Sequence, residues 1–275
     1  VYKNLSIISP GDTITLNLKN MKFKRLLKFS IFDYVDKKIY KKNLKKSESS
    51  LVNQLENILK KNIRQMIPSG RNSASIFSGG VDSSIISYII KKINKSVRFI
   101  TLDHLGKDKI SNKIKLFEKK LKSNILKKNV TLKNYQNSYI KCLDVCSSPV
   151  NSHDFPGRMI IAKQAKNLKC KCIFGGDGAD ELFGGYETYR QKIFNKNINK
   201  SNYTKLLYIN FFNKNLELNY FKKKLNFYWK KSYKSYNFIK NLDERNRQAM
   251  MLIDTAIQLS SVGLRGTDLM SMYNS

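Results

Sequence analysis

The chain has 275 residues, enough for one large domain or two smaller ones around a packed core. Its 52 Lys and Arg residues outnumber 20 Asp and Glu residues, which gives a net charge of +32. Because this charge is spread along the whole chain, it favours a role in solubility over a nucleic-acid-binding surface. Because neither a run of 18 apolar residues nor a secretory signal pattern occurs, we expect no membrane span and a cytoplasmic protein.

The predicted elements begin with a hairpin, since residues 5–18 (LSIISPGDTITLNL) form two apolar runs around a Pro-Gly-Asp turn. Residues 22–46 are basic and irregular, which is typical of a linker. Farther along, short apolar runs alternate with segments of helical spacing, and this predicts an α/β fold with a parallel sheet flanked by helices. The predicted strands are 74–77, 97–102, 129–132 and 170–174, and the predicted helices are 51–66, 83–93, 114–121, 139–145, 159–168 and most of 191–275.

The first glycine-rich loop, FSGGVDSS (residues 77–84), lies between a predicted strand and a predicted helix, where α/β sheets bind ligands. Exposed backbone N–H groups, hydroxyls and the positive end of the helix predict a phosphate cradle. Asp82 would repel a phosphate unless a cation lies between them, and Mg²⁺ prefers such a mixture of ligands. The alternative is a tight turn capped by serine or aspartate. The residues that would form the cradle are Ser78, Gly79, Gly80, Ser83 and Ser84.

A second loop, FGGDGADELFGGY (residues 174–186), combines five glycines with three acids, Asp177, Asp180 and Glu181. Carboxylates this close together repel each other when they are buried without a counter-ion. Because the loop follows a predicted parallel strand, we expect it to face the first loop at the carboxyl edge of the sheet. There it would supply acids to a metal and a substrate.

The four cysteines, at positions 142, 146, 170 and 172, fit no common zinc pattern. Cys170 and Cys172 are expected on one face of a strand, as small buried side chains. Reduced thiols without a metal are therefore predicted.

The two loops together resemble a known family. SGGVDSS resembles the pyrophosphate loop of the N-type ATP pyrophosphatases, and GGDGADELFGGY resembles the signature of asparagine synthetases and the related β-lactam synthetases. The resemblance runs from about residue 51 to the end, where SVGLRGTDLMSMYNS is similar to a later family segment. It implies an adenine nucleotide α-hydrolase-like fold of the pyrophosphate-loop ATPase type, with a mainly helical C-terminal part.

The resemblance also implies a domain organisation. Residues 1–20 are similar to the end of the glutaminase domain that precedes the synthetase domain in this family. Residues 21–46 would then be a linker, and residues 47–275 a C-terminally incomplete ATP-binding domain. The chain, which starts at Val1, is expected to be a piece of something longer.

The activity implied by the resemblance is an ATP-dependent amide ligase. It would activate the β-carboxylate of aspartate as an acyl-adenylate, release pyrophosphate, and transfer ammonia, normally from glutamine, to give asparagine. Asp177 and Asp180 are the implied catalytic residues: Asp180 would hold Mg²⁺ with Asp82, and Asp177 would face the acyl-adenylate and ammonia unless it only caps a turn. The implied contacts to ATP are Phe77, Ser78, Gly79, Gly80, Asp82, Ser83, Thr101, Gly175 and Gly176. A homodimer is left open.

Three departures from the family pattern leave other functions open. Gly175 stands where many members have Ser, Leu269 stands where Arg is usual, and the lysine that assists pyrophosphate departure would follow Ser275. The acceptor could therefore be another carboxylate. A tRNA-modifying adenylating enzyme with the same pyrophosphate loop, and a non-enzymatic protein that kept the fold, are the remaining alternatives.

Overall fold

In the computed structural model, the described residues are 8, 10–27, 29–104, 108–146, 152–189 and 218–275. They belong to two compact units. The sheet unit comprises Lys46–Ala179 and Ser261–Ser275, and the helical unit comprises Val1–Lys45 and Asp180–Ser260. Predictions for residues 1–7 and 191–217 lie outside the described residues.

The described elements follow one another as a hairpin, an alternation of strands and helices, and a helical C-terminal part. The strands are β1 (Asp12–Asn17), β2 (Lys22–Leu27), β3 (Asn72–Ile76), β4 (Arg98–His104), β5 (Ile125–Val130) and β6 (Cys170–Phe174). The α-helices are α1 (Lys37–Asn43), α2 (Glu48–Met66), α3 (Val81–Ile93), α4 (Asp108–Leu121), α5 (Leu132–Cys146), α6 (Phe155–Asn167), α7 (Ala179–Phe183), α8 (Leu218–Ser235), α9 (Leu242–Asp254) and α10 (Arg265–Tyr273).

The sheet unit has four parallel strands in the order β5-β4-β3-β6, which confirms the predicted α/β fold with a parallel sheet and flanking helices. β3 is central and its residues 73–75 are fully buried, as expected for a strand covered on both faces. One apolar cluster joins α2, α3 and α4 to the sheet through residues such as Ile63, Ile90 and Phe99. A second joins α6 to the sheet through Ile161 and Ala165.

The structure contains a hairpin that the sequence did not predict. β1 pairs antiparallel with β2, with Asn17 opposite Lys22, so its turn falls at residues 18–21. The side chains of Asn17 and Asn20 accept hydrogen bonds from the backbone N–H groups of Lys19 and Lys22, and these contacts close the turn without proline or glycine. The predicted hairpin around Pro-Gly-Asp stays a prediction, because most of its first run lies outside the described residues.

Residues 22–46 contain regular secondary structure, and their role as a linker stays a prediction. They contain β2, a 3₁₀ helix at Ile31–Tyr34, and α1, whose first turn is capped by the Asp36 carboxylate. The prediction that this segment is irregular is wrong. The assignment of residues 1–20 to another domain stays a prediction.

Two details of the predicted strands also need correction. β5 ends at Val130 because Thr131 caps α5, its hydroxyl accepting from the N–H of Asn134, so the strand begins four residues before the predicted 129–132 and overlaps it only at residues 129 and 130. In β6, Asn72 pairs with Cys170 but Ser73 pairs with Cys172, and the extra residue between them shifts the register. The two cysteines therefore pack against different clusters, and the prediction that they share a face is wrong.

The C-terminal part is helical wherever it is described, as predicted. In the helical unit, α8 and α9 pack through a cluster that includes Trp229, Leu225 and Met250. α9 continues into a π-helical segment, Thr255–Leu264, which leads into α10. Within the ranges that the structure describes, no helix is both long and apolar enough to cross a membrane.

Candidate functional site

The two glycine-acid loops leave adjacent strands of the sheet. From β3 the chain adds β4 and β5 on one side, and β6 then pairs on the other side of β3, with Ser75 opposite Phe174. Parallel sheets bind ligands at the carboxyl ends of the two strands where the strand order reverses in this way. Loop 1 (residues 77–80) follows β3 and loop 2 (residues 175–178) follows β6, so both lie at that point.

Loop 1 is organised by its own hydroxyl groups. The Ser83 Oγ accepts a hydrogen bond from the Ser78 backbone N–H at 3.1 Å and lies 2.9 Å from the Ser78 Oγ. The Ser84 hydroxyl donates to the Gly80 carbonyl at 2.6 Å. Gly79 adopts a φ of +75°, which a side chain would strain. The loop is thus a tight, internally bonded turn that leads directly into α3.

The N-terminus of α3 has no side-chain cap. Gly80 occupies the N-cap position with an extended backbone and makes no side-chain capping bond. The first backbone N–H groups of a helix have no intrahelical acceptor, and the helix dipole adds positive charge there. The loop geometry therefore fits the predicted phosphate cradle, with Ser78, Gly79 and Gly80 around it. Asp82 lies in the first turn of α3 and is half-buried.

Loop 2 approaches loop 1 at Gly176. A Cβ atom on Gly176 would lie 3.0 Å from both the Asp82 Cβ and the Ser83 backbone N. That distance is shorter than ordinary van der Waals contact, so the approach requires glycine at this position. Gly175 has more space, since a Cβ there would lie 3.4 Å from the Asp177 Oδ2.

The structure brings the predicted nucleotide contacts to one edge but buries two of their side chains. The Phe77 N–H donates to the Ile100 carbonyl at 2.9 Å, so Phe77 lies beside Thr101. The Phe77 ring packs in the core against Phe117, with ring centroids 4.1 Å apart, and both Phe77 and Thr101 are 2% exposed. Their contact with a nucleotide stays a prediction, in which Phe77 would offer its backbone.

Asp177 has a partner that the sequence did not reveal. Its two carboxylate oxygens accept hydrogen bonds from the guanidinium of Arg158 on α6, and the two side chains form a bidentate ion pair. The Nη1–Oδ2 distance is 3.0 Å and the Nη2–Oδ1 distance is 2.8 Å. The hydroxyl of Thr267 on α10 accepts from the same guanidinium and lies 3.5 Å from the Asp177 Oδ2. The Asp177 charge is therefore balanced by a guanidinium, and a metal ion is not required to neutralise it.

One signal in the sequence could have identified Arg158. The chain has 43 lysines and nine arginines, so arginine is the exception among its cationic residues. Arg158 is the only arginine in the sequence between Arg98 and Arg190. An arginine in such a background indicates a need for the planar, bidentate guanidinium. Thr267 carries no comparable signal.

The remaining acids of the second signature lie in the helical unit. Glu181 is 5% exposed and accepts a hydrogen bond from the Tyr186 hydroxyl at 2.9 Å. Burial, and then this bond, raise the pKa of Tyr186, so the hydroxyl stays a donor. Asp82 and Asp180 belong to different units, and their shared Mg²⁺ stays a prediction.

Side chains that could bind a metal ion are not grouped together among the described residues. Among these, no group of three or more His, Cys, Asp or Glu side chains is placed to hold a metal ion. Mg²⁺ needs fewer protein ligands, because one carboxylate and substrate phosphate oxygens satisfy it, and Asp82 beside loop 1 fits that role. Burial raises the pKa of all four cysteine thiols, that of Cys142 to about 11, so they remain protonated at neutral pH.

Comparisons with known proteins find a family model and a relative that match this chain. The family model described as asparagine synthase matches residues 54–275. Asparagine synthetase [glutamine-hydrolyzing] 1 of Bacillus subtilis (strain 168) is 26% identical over 166 residues, which are 58% of this chain and 26% of that protein. This chain thus spans about a quarter of the length of that relative.

A solved structure also aligns with the chain. It is the NH3-dependent NAD synthetase from Campylobacter jejuni subsp. jejuni NCTC 11168, determined in complex with the nitrate ion. The alignment covers 77% of this chain and 97% of that chain, with 15% sequence identity and a TM-score of 0.40.

Proposed function

We propose, from the premise that this chain belongs to the asparagine synthase family, that its two loops convert a carboxylate into an amide at the expense of ATP. The proposed acceptor is the β-carboxylate of aspartate, and the nitrogen donor is ammonia, normally released from glutamine. One observation carries the proposal: Gly176 of loop 2 packs directly against Asp82 and Ser83 beside loop 1. The proposed phosphate cradle and the Asp177 carboxylate would therefore act on one activated substrate.

In the first step, an oxygen of the substrate carboxylate attacks the α-phosphorus of ATP. The bond from that phosphorus to the bridging oxygen of the β-phosphate breaks, and pyrophosphate leaves with the negative charge. Loop 1 and the N-terminus of α3, which has no side-chain cap, are proposed to offer backbone N–H donors and a positive helix end to this charge. The hydroxyls of Ser78 and Ser83, now bonded to each other, are proposed to turn toward phosphate oxygens.

Asp82 is the residue proposed to hold Mg²⁺ beside these phosphates. When bound, the ion would offset the charge of the phosphate oxygens. The half-buried Asp82 carboxylate lies in the first turn of α3, next to the loop 1 donors.

In the second step, ammonia attacks the carbonyl carbon of the acyl-adenylate, AMP leaves with the bonding electron pair, and the nitrogen must lose a proton. Asp177 is proposed to face this centre. Its two oxygens each accept from Arg158, which leaves further lone pairs that can stabilise the ammonium-like nitrogen and accept the proton.

ATP–pyrophosphate exchange tests the proposal with the intact protein. Exchange should require aspartate, and AMP and asparagine should appear when ammonia is added. Other carboxylates and tRNA serve as competing acceptors. Exchange that depends on tRNA would favour the tRNA-modifying alternative, and a complete lack of exchange with every acceptor would favour a protein that kept the fold without the activity.

A further inference from the structure

Three residues from separate parts of the sheet unit form a charged contact at loop 2. Arg158 lies in the first turn of α6, Asp177 lies in loop 2, and Thr267 lies near the start of α10. The guanidinium binds both carboxylate oxygens at 2.8 and 3.0 Å and also donates to the Thr267 hydroxyl. We refer to these three residues as the Arg158 clamp.

We propose that Arg158 is a positioning residue that fixes the carboxylate of Asp177 for the amide-forming step. This inference rests on the function proposed above. Loop 2 is built mainly of glycine, with Gly175, Gly176 and Gly178 around Asp177, so it has few side chains that could order it. A bidentate pair fixes the direction of both carboxylate oxygens, which a single contact cannot do.

The packing of α6 against α10 explains how the Arg158 clamp is assembled. A Cβ atom on Gly266 would overlap the ring of Phe155, so only glycine lets α10 approach the first turn of α6 this closely. Phe155 and Arg158 share that turn, and Thr267 follows Gly266 directly. The close approach therefore places the Thr267 hydroxyl against the Arg158 guanidinium.

The exposure of the pair suits a positioning role. The side chains of Arg158 and Asp177 are 19% and 28% exposed, so the contact is partly shielded from water while the carboxylate remains accessible. Lysine would supply the same charge from a single flexible ammonium group and could not reproduce the two parallel bonds. The proposal therefore predicts different behaviour for lysine and arginine at position 158.

Amide hydrogen exchange of loop 2 tests the positioning role independently of any reaction. In Arg158→Gln, the amides of residues 175–179 should exchange at least about fivefold faster, whereas those of loop 1 should be unchanged. Arg158→Lys should give an intermediate rate. Arg64→Gln, which changes an exposed arginine on α2, is the matched control. Unchanged exchange at residues 175–179 in both Arg158 variants would overturn the proposal.

The two half-reactions then show whether positioning serves the chemistry. Arg158→Gln should keep ATP–pyrophosphate exchange within about threefold of the unmodified protein, and amide formation should fall by about tenfold or more in kcat, because small misplacements of a reacting group cost rate at this scale. Arg158→Lys should recover only part of that loss, and Thr267→Val should cause a smaller one. Equal loss in both half-reactions would mean that Arg158 stabilises the fold and does not position Asp177.

The outcomes separate this inference from the function on which it rests. If the unmodified protein performs no ATP–pyrophosphate exchange with any acceptor, the proposed function fails, and hydrogen exchange still decides whether Arg158 orders loop 2. If Arg158→Gln does not fold, hydrogen exchange and the two half-reactions of Arg158→Lys and Thr267→Val are compared with those of the unmodified protein instead. Full amide formation in Arg158→Lys, with unchanged exchange of loop 2, would show that charge alone is needed and would overturn the positioning role.

Discussion

The two loops at the carboxyl edge of the sheet are stabilised over very different sequence distances. In loop 1, the side-chain hydrogen bonds join residues at most five positions apart, as between Ser78 and Ser83. In loop 2, Asp177 is bound by Arg158, 19 positions earlier, and lies near Thr267, 90 positions later. The conformation of loop 1 depends on its own residues and on the first turns of α3, whereas that of loop 2 depends on how α6 and α10 pack.

This difference separates the two loops as experimental targets. Contacts within one turn form with the strand and helix that flank them, so loop 1 should resist changes elsewhere in the sheet unit. Contacts between distant elements are lost when the packing of those elements changes. Loop 2 should therefore respond to substitutions and conditions that leave loop 1 intact.

The largest expected effect is that of Asp82→Asn, in the first turn of α3 beside loop 1. The amide is nearly isosteric, so folding should be unaffected. Adenylation should fall by at least about a hundredfold, because Mg²⁺ would lose its anionic ligand beside the pyrophosphate. ATP–pyrophosphate exchange measures this, and Asp144→Asn on the exposed side of α5 is the control. Near-normal exchange would exclude Asp82 from the mechanism.

Asp177→Asn should separate the half-reactions. The amide removes the base and weakens the pair with Arg158, so amide formation should fall by about tenfold or more while ATP–pyrophosphate exchange persists. Both are followed in the same preparation, by product formation and by exchange. Loss of both would assign Asp177 to ATP or metal binding, and loss of neither would leave it as a turn cap.

Gly176→Ala tests the contact between the loops. The added methyl group must displace the backbone at Asp82 and Ser83, which should lower the free energy of unfolding by about 1–3 kcal/mol. Urea denaturation measures the change. Gly175→Ala, with a Cβ at ordinary contact distance, is the adjacent control and should be close to neutral. Equal effects of the two substitutions would contradict the close approach at Gly176.

Raising the pH should disturb loop 2 before loop 1. Cys142 lies in the apolar cluster of α5, α6 and α10 that supports the Arg158 clamp, and its thiol donates to the Met270 Sδ at 3.4 Å. Burial, and then the neighbouring Cys146, raise the pKa of Cys142 from 9.0 to about 11. A raised pKa in the folded state means that this contribution to stability is complete below pH 9 and is lost as the pH rises toward 11.

The expected loss is about 1 kcal/mol of unfolding free energy by pH 10, with faster hydrogen exchange in loop 2 than in loop 1. Urea denaturation at pH 8 and about pH 10 measures the first quantity. Cys142→Ala has no thiol at this position and should lose less between the two pH values. Stability that is independent of pH in the unmodified protein would contradict the buried state of this thiol.

The sequence alone determined the elements whose signals are local. The helical spacing before Pro68 predicted α2, and the short apolar runs predicted β3, β4 and β6, because periodicity and turn residues act over a few positions. The same is true of loop 1, where glycines and hydroxyls bond to one another. The turn at residues 18–21 was not predicted, because asparagine side chains close it and they are a weaker turn signal than proline and glycine.

Only the tertiary structure decided what surrounds loop 2. No local sequence pattern predicts that β6 pairs with β3, that Lys171 shifts the register between the two cysteines, or that Arg158 binds Asp177. Each of these depends on contacts between segments far apart in the chain. Bringing such segments together costs conformational entropy, and this cost is offset only when the whole core packs. The acids of the second signature were therefore visible in the sequence, whereas the guanidinium that orients one of them was not.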